Sequence, residues 1–288
     1  MKLRKEDCVT LIADLWSGKY PLTREHFGPY LGQLVTALLA EQLPDDGHFV
    51  RAAFEPEALE KRLRKINDSK LIGEILDEVR GAQEPVELDR RLVDAWAEIR
   101  AISQLMRESF SNFSKVIETA DLTAIRGAQK YAFQVKRINN SLDSHVQRRN
   151  TPEMRDSSPF GDLDSIHARL DEPISHFFRL AVRDKNQKFG KWADRTFKRC
   201  IVIVSSDDDL QDALVRQTAC TKIRETIKGL PELNFEELVW LPDTGNGAWF
   251  IVYPATREVR CFADWSDNPD IPSEERDQIV NRKEVKLD

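Results

Sequence analysis

The sequence lacks the features of membrane-spanning and secreted proteins. Its longest apolar run, Leu34 to Ala40, is interrupted by Thr36 and is much shorter than the roughly 18 residues that cross a bilayer. No apolar segment follows the charged start at residues 1–7, as a secretory signal would require. The four cysteines are far apart and form no C-x-x-C pair, which indicates reduced, packed thiols rather than disulfides or a zinc site. We therefore expect a cytoplasmic protein without a membrane partner.

The chain also lacks an excess of positive charge. It has 43 Lys and Arg against 49 Asp and Glu, a formal net charge of −6 over 288 residues. This balance argues against a protein that is coated throughout by nucleic acid. Residues 1–150 carry equal numbers of both signs, so the acidic excess lies in 151–288.

Several sequence patterns of catalytic sites are missing as well. There is no glycine-rich phosphate loop, no H-E-x-x-H and no G-x-S-x-G. No D…E-x-K nuclease signature lies on the predicted strands, and the five histidines lack metal-ligand spacing. The sequence therefore contains no complete active site of these kinds.

Residues 1–150 have the pattern of a helical domain almost throughout. Apolar residues recur at helical spacing over 31–43, and Pro44 is a stop signal. Asp68 is placed to cap a second helix, which Gly81 ends.

A long helical hairpin is predicted after Pro85, because no further proline occurs before residue 150. The hairpin is predicted to be antiparallel and to turn near 119–122, because its two heptad seams are out of phase. The seam is either the core of a bundle or a docking surface, and a docking surface would use Trp96, Met106, Phe110 and Phe113. The first seam is Leu92, Trp96, Ile99, Ser103, Met106, Phe110, Phe113 and Ile117, and the second is Ala128, Ala132, Val135, Asn139, Leu142 and Val146.

The C-terminal part has a different pattern. Two prolines, two serines and a glycine make 151–162 a predicted linker. Residues 163–288 then predict a small α/β domain with a three- to four-stranded sheet and an acidic C-terminal tail. The predicted fold class is α+β and mostly helical, with an N-terminal helical bundle. The predicted strands are 200–204, 238–241, 249–253 and 258–262.

An acidic turn follows the first of these strands. Asp207, Asp208 and Asp209 are well placed to hold Mg²⁺ or Mn²⁺ near phosphates, and Asp243 can join them from the end of the next strand. The alternative is that the acidic turn caps the following helix.

Residues 199–253 resemble the metal strand and metal hairpin of class III nucleotidyl cyclases. The resemblance lies in the apolar strand and in Leu241 to Tyr253, with its Pro-Asp-Thr-Gly-Asn-Gly turn. It implies two metal-binding aspartates, but Ser205 (or Ser206) and Asn246 stand at those positions. The same segment also resembles a response-regulator receiver, so no catalytic assignment follows from it.

A basic segment interleaved with aromatic residues precedes the first strand. Lys185, Lys188, Lys191 and Arg195 suit phosphate contacts, and neighbouring aromatic rings suit base stacking. The alternative is that the aromatic residues lie in the core and the charges are solvated.

The sequence favours a non-catalytic interaction or regulatory subunit of a multiprotein complex. Its helical hairpin would bind a protein partner or a second copy, and its α/β domain would sense or dock; nucleic acid is a further possible partner. The alternative is a metal-dependent enzyme on nucleotides or nucleic acid, cyclase-like or a nuclease, that acts through the acidic turn at 207–209 with Mg²⁺ or Mn²⁺.

Overall fold

The computed structural model describes residues 18–40, 42, 56–116, 120–138, 175–192, 194, 196–205, 221, 223–242, 248–256, 258–263 and 284–285. The chain divides into two compact units, Met1–Lys115 (unit 1) and Val116–Asp288 (unit 2). The linker predicted at 151–162 lies outside the described residues and stays a prediction. Within the described ranges, no helix combines the length and the apolar character that a membrane crossing needs.

Unit 1 is built around one central helix. Helix α4 contacts the three helices that precede it, and most of its residues are buried. Most of the buried residues of α4 are apolar, although Asp89, Arg100 and Gln104 are buried with them. The elements are α1 (Pro21–Leu39), α2 (Pro56–Ile66), α3 (Ser69–Arg80), α4 (Pro85–Arg107) and strand β1 (Ser111–Lys115).

The predicted start and end of α3 are confirmed. The carboxylate of Asp68 accepts a hydrogen bond from the backbone N–H of Leu71 at 3.0 Å. Gly81 is the C-cap residue, and its N–H donates to the carbonyl of Val79. The start of α3 therefore follows from the capping chemistry of Asp68, while Gly81 ends the helix in a right-handed conformation with φ −80°.

The predicted helical hairpin is wrong. Helix α4 ends at Arg107, and Ser109 takes a left-handed backbone conformation with φ 65°. Residues 122–126 and 129–138 form two antiparallel strands instead of the second helix of the hairpin. The second of them is buried on both faces over Tyr131–Val135, so its apolar residues do not alternate, and their spacing resembles that of a helix.

Unit 2 contains a mixed sheet of seven described strands. In space they follow the order in which they occur in the chain. The pairs β3–β4 and β4–β5 are parallel and the other described pairs of unit 2 are antiparallel. The strands are β2 (Leu122–Arg126), β3 (Gln129–Ile138), β4 (Lys198–Ser205), β5 (Glu237–Pro242), β6 (Ala248–Tyr253), β7 (Glu258–Ala263) and β8 (Glu284–Val285).

One face of the sheet is covered by helices. Parallel neighbours need crossover connections, and helix α5 (Ser175–Gly190) lies in the connection between β3 and β4. A short helix at 223–228 lies in the connection between β4 and β5. Phe178 of α5, Ile223 of the short helix and Trp240 of β5 belong to one buried cluster, so both helices pack on the same face.

The predicted sheet of three to four strands and the dominance of a helical bundle are also wrong. The four predicted strands exist, within β4, β5, β6 and β7, and β6 pairs with β7. The sheet is larger because β2 and β3 come from residues that the sequence pattern places in a helix. β8 adds a further strand at the other end.

Candidate functional site

A single carboxylate lies where β2 begins. Asp121 precedes β2, and its backbone N–H donates to the carbonyl of Phe133 in β3 at 2.8 Å. Its side-chain Oδ2 accepts a hydrogen bond from the backbone N–H of Val135 at 2.6 Å. The antiparallel register of β2 and β3 therefore fixes this carboxylate beside the middle of β3.

A buried lysine joins the carboxylate to an amide. Lys185 of α5 places its Nζ 2.9 Å from Gln134 Oε1 and 3.3 Å from Asp121 Oδ2. The side chain of Lys185 is 7% exposed and that of Asp121 is 29% exposed, while Gln134 is 2% exposed. Because an ammonium group only donates hydrogen bonds, Lys185 is bonded to the oxygen of the Gln134 amide.

Further positive charges surround this contact. Burial lowers the pKa of Lys185, the carboxylate of Asp121 opposes that shift, and the charges of Lys188 and Lys136 add to it. Lys136 is exposed and lies two residues after Gln134, hence on the same face of β3. We call Asp121, Gln134, Lys136 and Lys185 the sheet cluster.

The sheet cluster has the chemistry of a site for a phosphate and a hard cation. Carboxylate and amide oxygens are ligands that Mg²⁺ and Mn²⁺ accept, and an exposed lysine is a common phosphate contact. Among the described residues there is no group of three or more His, Cys, Asp or Glu side chains able to hold a metal ion. A cation bound here would therefore need further oxygen ligands.

The predicted basic contacts separate in the structure. Lys185 is buried in the sheet cluster, Lys188 is half-exposed and 3.9 Å from Asp184, and Lys191 is exposed. Arg195 lies outside the described residues. The alternative reading of the aromatic residues is confirmed, because several are buried in the core: Phe178, Phe189 and Trp192.

The predicted acidic ligands Asp207, Asp208, Asp209 and Asp243 lie outside the described residues. Strands β4 and β5 end at Ser205 and Pro242, which are paired with each other, and Ser205 is paired with Ile138. The C-terminal ends of β3, β4 and β5 therefore lie side by side, and the chain leaves β4 and β5 there.

The cyclase resemblance stays a prediction. Of its two metal positions, Ser205 is the last residue of β4, and the alternative Ser206 and the hairpin residue Asn246 lie outside the described residues.

The predicted assembly seam is partly buried in the chain itself. Trp96 and Phe110 are buried, and Met106 and Phe113 are half-buried. Only Trp96 and Met106 belong to α4, since the helix ends before Phe110. A docking role for these residues stays a prediction.

Sequence reasoning did not bring Asp121, Gln134 and Lys136 together as one site. A search for D…E-x-K on the predicted strands passes over them because residues 121–138 were assigned to a helix and because residue 134 is glutamine. The usable signal was Gly127, the only glycine between Pro85 and residue 150, which has φ 62° in the two-residue turn between β2 and β3.

Comparison with protein-family models, curated proteins and solved structures gives no match to this chain. The chemistry of the sheet cluster therefore has to be inferred from its own residues. Gln134 and Lys136 lie on β3, Lys185 lies on α5, and Asp121 directly precedes β2.

Proposed function

We propose that unit 2 is a metal-dependent nuclease that hydrolyses phosphodiester bonds. The observation that carries this proposal is the placement of Asp121 ahead of β2 beside Gln134-Val135-Lys136 on β3. This placement resembles the D…E-x-K nuclease signature, with glutamine in the position of the glutamate. It favours the enzyme interpretation over a purely structural domain.

Each residue of the sheet cluster has a role in the proposed reaction. Oxygens of Asp121 and Gln134 would hold Mg²⁺ or Mn²⁺, which supplies a Lewis acid beside the phosphate. Lys136, exposed on the same face of β3, would stabilise the negative charge that develops on the phosphate oxygens. Water would attack phosphorus and release one proton to the solvent, the bond from phosphorus to the ester oxygen would break, and that oxygen would take a proton from the solvent and leave as a hydroxyl.

The interpretation as an interaction subunit remains a second proposal, with a protein partner or a second copy bound through the seam. The compartment remains a proposal as well, and we expect it to be the cytoplasm. A metal site formed by Asp207, Asp208, Asp209 and Asp243 themselves, at the acidic turn, also remains a proposal.

A cleavage assay tests the nuclease proposal. The full chain is incubated with labelled duplex DNA, single-stranded DNA or RNA and with Mg²⁺ or Mn²⁺, and products are separated on denaturing gels. We expect metal-dependent cleavage of at least one substrate. Asp121→Asn and Lys136→Gln should each slow it by about a hundredfold or more, as the loss of one transition-state contact does.

Two exposed residues of unit 2 supply matched controls. Glu258→Gln, on β7 and four strands away from β3, and Lys228→Gln make the same kinds of chemical change at exposed residues and should leave the rate unchanged. Circular dichroism should show that all four variants remain folded. Absence of cleavage on every substrate, or full activity of the Asp121→Asn variant, would contradict the proposal.

A further inference from the structure

The sheet cluster carries more positive than negative charge. Asp121 is its one carboxylate, while Lys136 and Lys185 are cations and Gln134 is neutral. Lys188 adds a further positive charge near Lys185, partly offset by Asp184 at 3.9 Å. A divalent cation alone is repelled by such a group of charges, whereas a phosphate is attracted by it.

We propose that Lys185 acts as a built-in cation that makes metal binding at Asp121 and Gln134 conditional on a nucleic-acid phosphate. This inference rests on the proposed function, since it uses the same two ligands. Its physical basis is the position of Nζ, which contacts both oxygens that a metal would use.

A bound phosphate would favour metal binding at the sheet cluster in two ways. It brings negative charge that offsets the ammonium groups, and it brings oxygen ligands that the described residues lack. Mg²⁺ is commonly held by one or two carboxylates together with substrate phosphates. Exposed Lys136 provides the first contact for the phosphate, whereas buried Lys185 acts through its charge on Asp121.

The order of binding follows from these positions. Nucleic acid binds first, without metal, and the metal then binds to the complex. Removing the charge of Lys185 should therefore have two opposite effects: weaker metal-free binding of nucleic acid and tighter binding of metal to the free protein. Simple damage to the fold would weaken both.

Two binding measurements on the full chain test this inference. Anisotropy of a fluorescein-labelled duplex oligonucleotide is measured in EDTA, and the electron paramagnetic resonance signal of free Mn²⁺ is measured without nucleic acid. For Lys185→Gln we expect about tenfold weaker oligonucleotide binding and about tenfold tighter Mn²⁺ binding, the size of effect expected for one nearby charge. Lys228→Gln, a matched change at an exposed position, should change neither.

The contact by Lys136 has its own signature. In EDTA, Lys136→Gln should reduce the slope of log affinity against log salt by about 1, as the loss of one phosphate contact does. An unchanged slope would overturn the assignment of Lys136 as the first contact.

Metal binding in the complex is the remaining measurement. With oligonucleotide present, wild type should remove more free Mn²⁺ from solution than the Asp121→Asn protein with the same oligonucleotide, which subtracts Mn²⁺ held by the nucleic acid itself. Equal Mn²⁺ uptake by the two proteins would overturn the inference.

Failure of this inference is distinguishable from failure of the proposed function. Tight Mn²⁺ binding by wild type without nucleic acid would overturn the inference, even if cleavage is observed. If the Asp208→Asn protein then failed to bind Mn²⁺, the metal ligands would lie in the acidic turn. Metal-free binding that responds to Lys136 and Lys185 as described would support the inference, even if no substrate is cleaved.

Discussion

At the residue scale, Glu60 shows how one buried carboxylate joins two helices of unit 1. Its Oε2 accepts hydrogen bonds from the backbone N–H of Thr23 at 2.9 Å and from the Thr23 hydroxyl at 3.1 Å. Its Oε1 accepts from Arg64 Nε at 3.0 Å. Thr23 lies in the first turn of α1, where backbone N–H groups have no partner within the helix. Glu60 of α2 therefore completes the start of α1.

The pKa of Glu60 gives a pH-dependent prediction. Burial raises this pKa, but the hydrogen bonds from Thr23 and Arg64 outweigh burial, so the pKa lies below its ordinary value. The carboxylate therefore stabilises the folded state above the unfolded pKa of about 4.3, and this contribution is lost as the pH falls through the lower folded pKa. The Glu60→Gln substitution should lower the free energy of unfolding by about 1–2 kcal/mol at pH 7. The free energy of unfolding of this variant should also decline less towards pH 3 than that of wild type.

Urea unfolding at several pH values, followed by hydrogen exchange of α1 and α2 peptides, measures this effect. Glu57→Gln is the matched control on the same helix, since Glu57 is exposed and forms an ion pair with exposed Lys61. Its stability should follow wild type at every pH. Parallel curves for wild type and Glu60→Gln would show that the carboxylate charge is not what holds Thr23.

At the element scale, some helices and strands can be predicted from the sequence pattern and others cannot. The buried run in β4 is predictable because it is short, apolar and rich in β-branched residues, and α3 is predictable from its caps. Strand β3 is not predictable in this way, because a strand buried on both faces does not alternate between apolar and polar residues. The sheet cluster could not be found without β3, since Asp121 and Gln134 are brought together only by the β2–β3 register.

The burial of Trp96 in α4 leads to a prediction about the stability of unit 1. Trp96 is buried, and the guanidinium of Arg62 lies 5.1 Å from the centre of its ring. Trp96→Ala should lower the free energy of unfolding of unit 1 by about 3–5 kcal/mol, since it leaves a cavity and removes a cation–π contact. Val86→Ala on the same helix, at a residue that is 54% exposed, should change it by less than about 0.5 kcal/mol.

Guanidinium unfolding combined with sedimentation distinguishes core from docking surface. We expect the Trp96→Ala protein to have a lower unfolding midpoint. A variant that changes oligomeric state with an unchanged midpoint would instead support the proposed assembly seam.

At the scale of the whole molecule, the sheet of unit 2 joins strands from both sides of residues 151–162. β4 is paired along its length with β3, and its residues Cys200, Val202 and Val204 are fully buried. A fragment of residues 116–288 should therefore unfold cooperatively. A fragment of residues 163–288 lacks β2 and β3 and exposes an apolar edge, so it should aggregate or remain unfolded.

Hydrogen exchange of β4 amides in the two fragments measures this difference. Protection in 116–288 should approach that of the full chain, whereas 163–288 should show little. Equal protection in the two fragments would mean that β4 and β5 hold the sheet without β3, and that the shorter fragment is a domain in its own right.

The parallel pairing of β3 with β4 has a consequence for synthesis of the protein on the ribosome. Val135 pairs with Val202, so β3 leaves the ribosome well before its partner is translated. At about 5–20 residues per second, its unpaired edge waits for several seconds, and that apolar edge is a binding target for chaperones. Nascent chains from which β3 has left the ribosome while β4 has not are therefore the ones most exposed to misfolding.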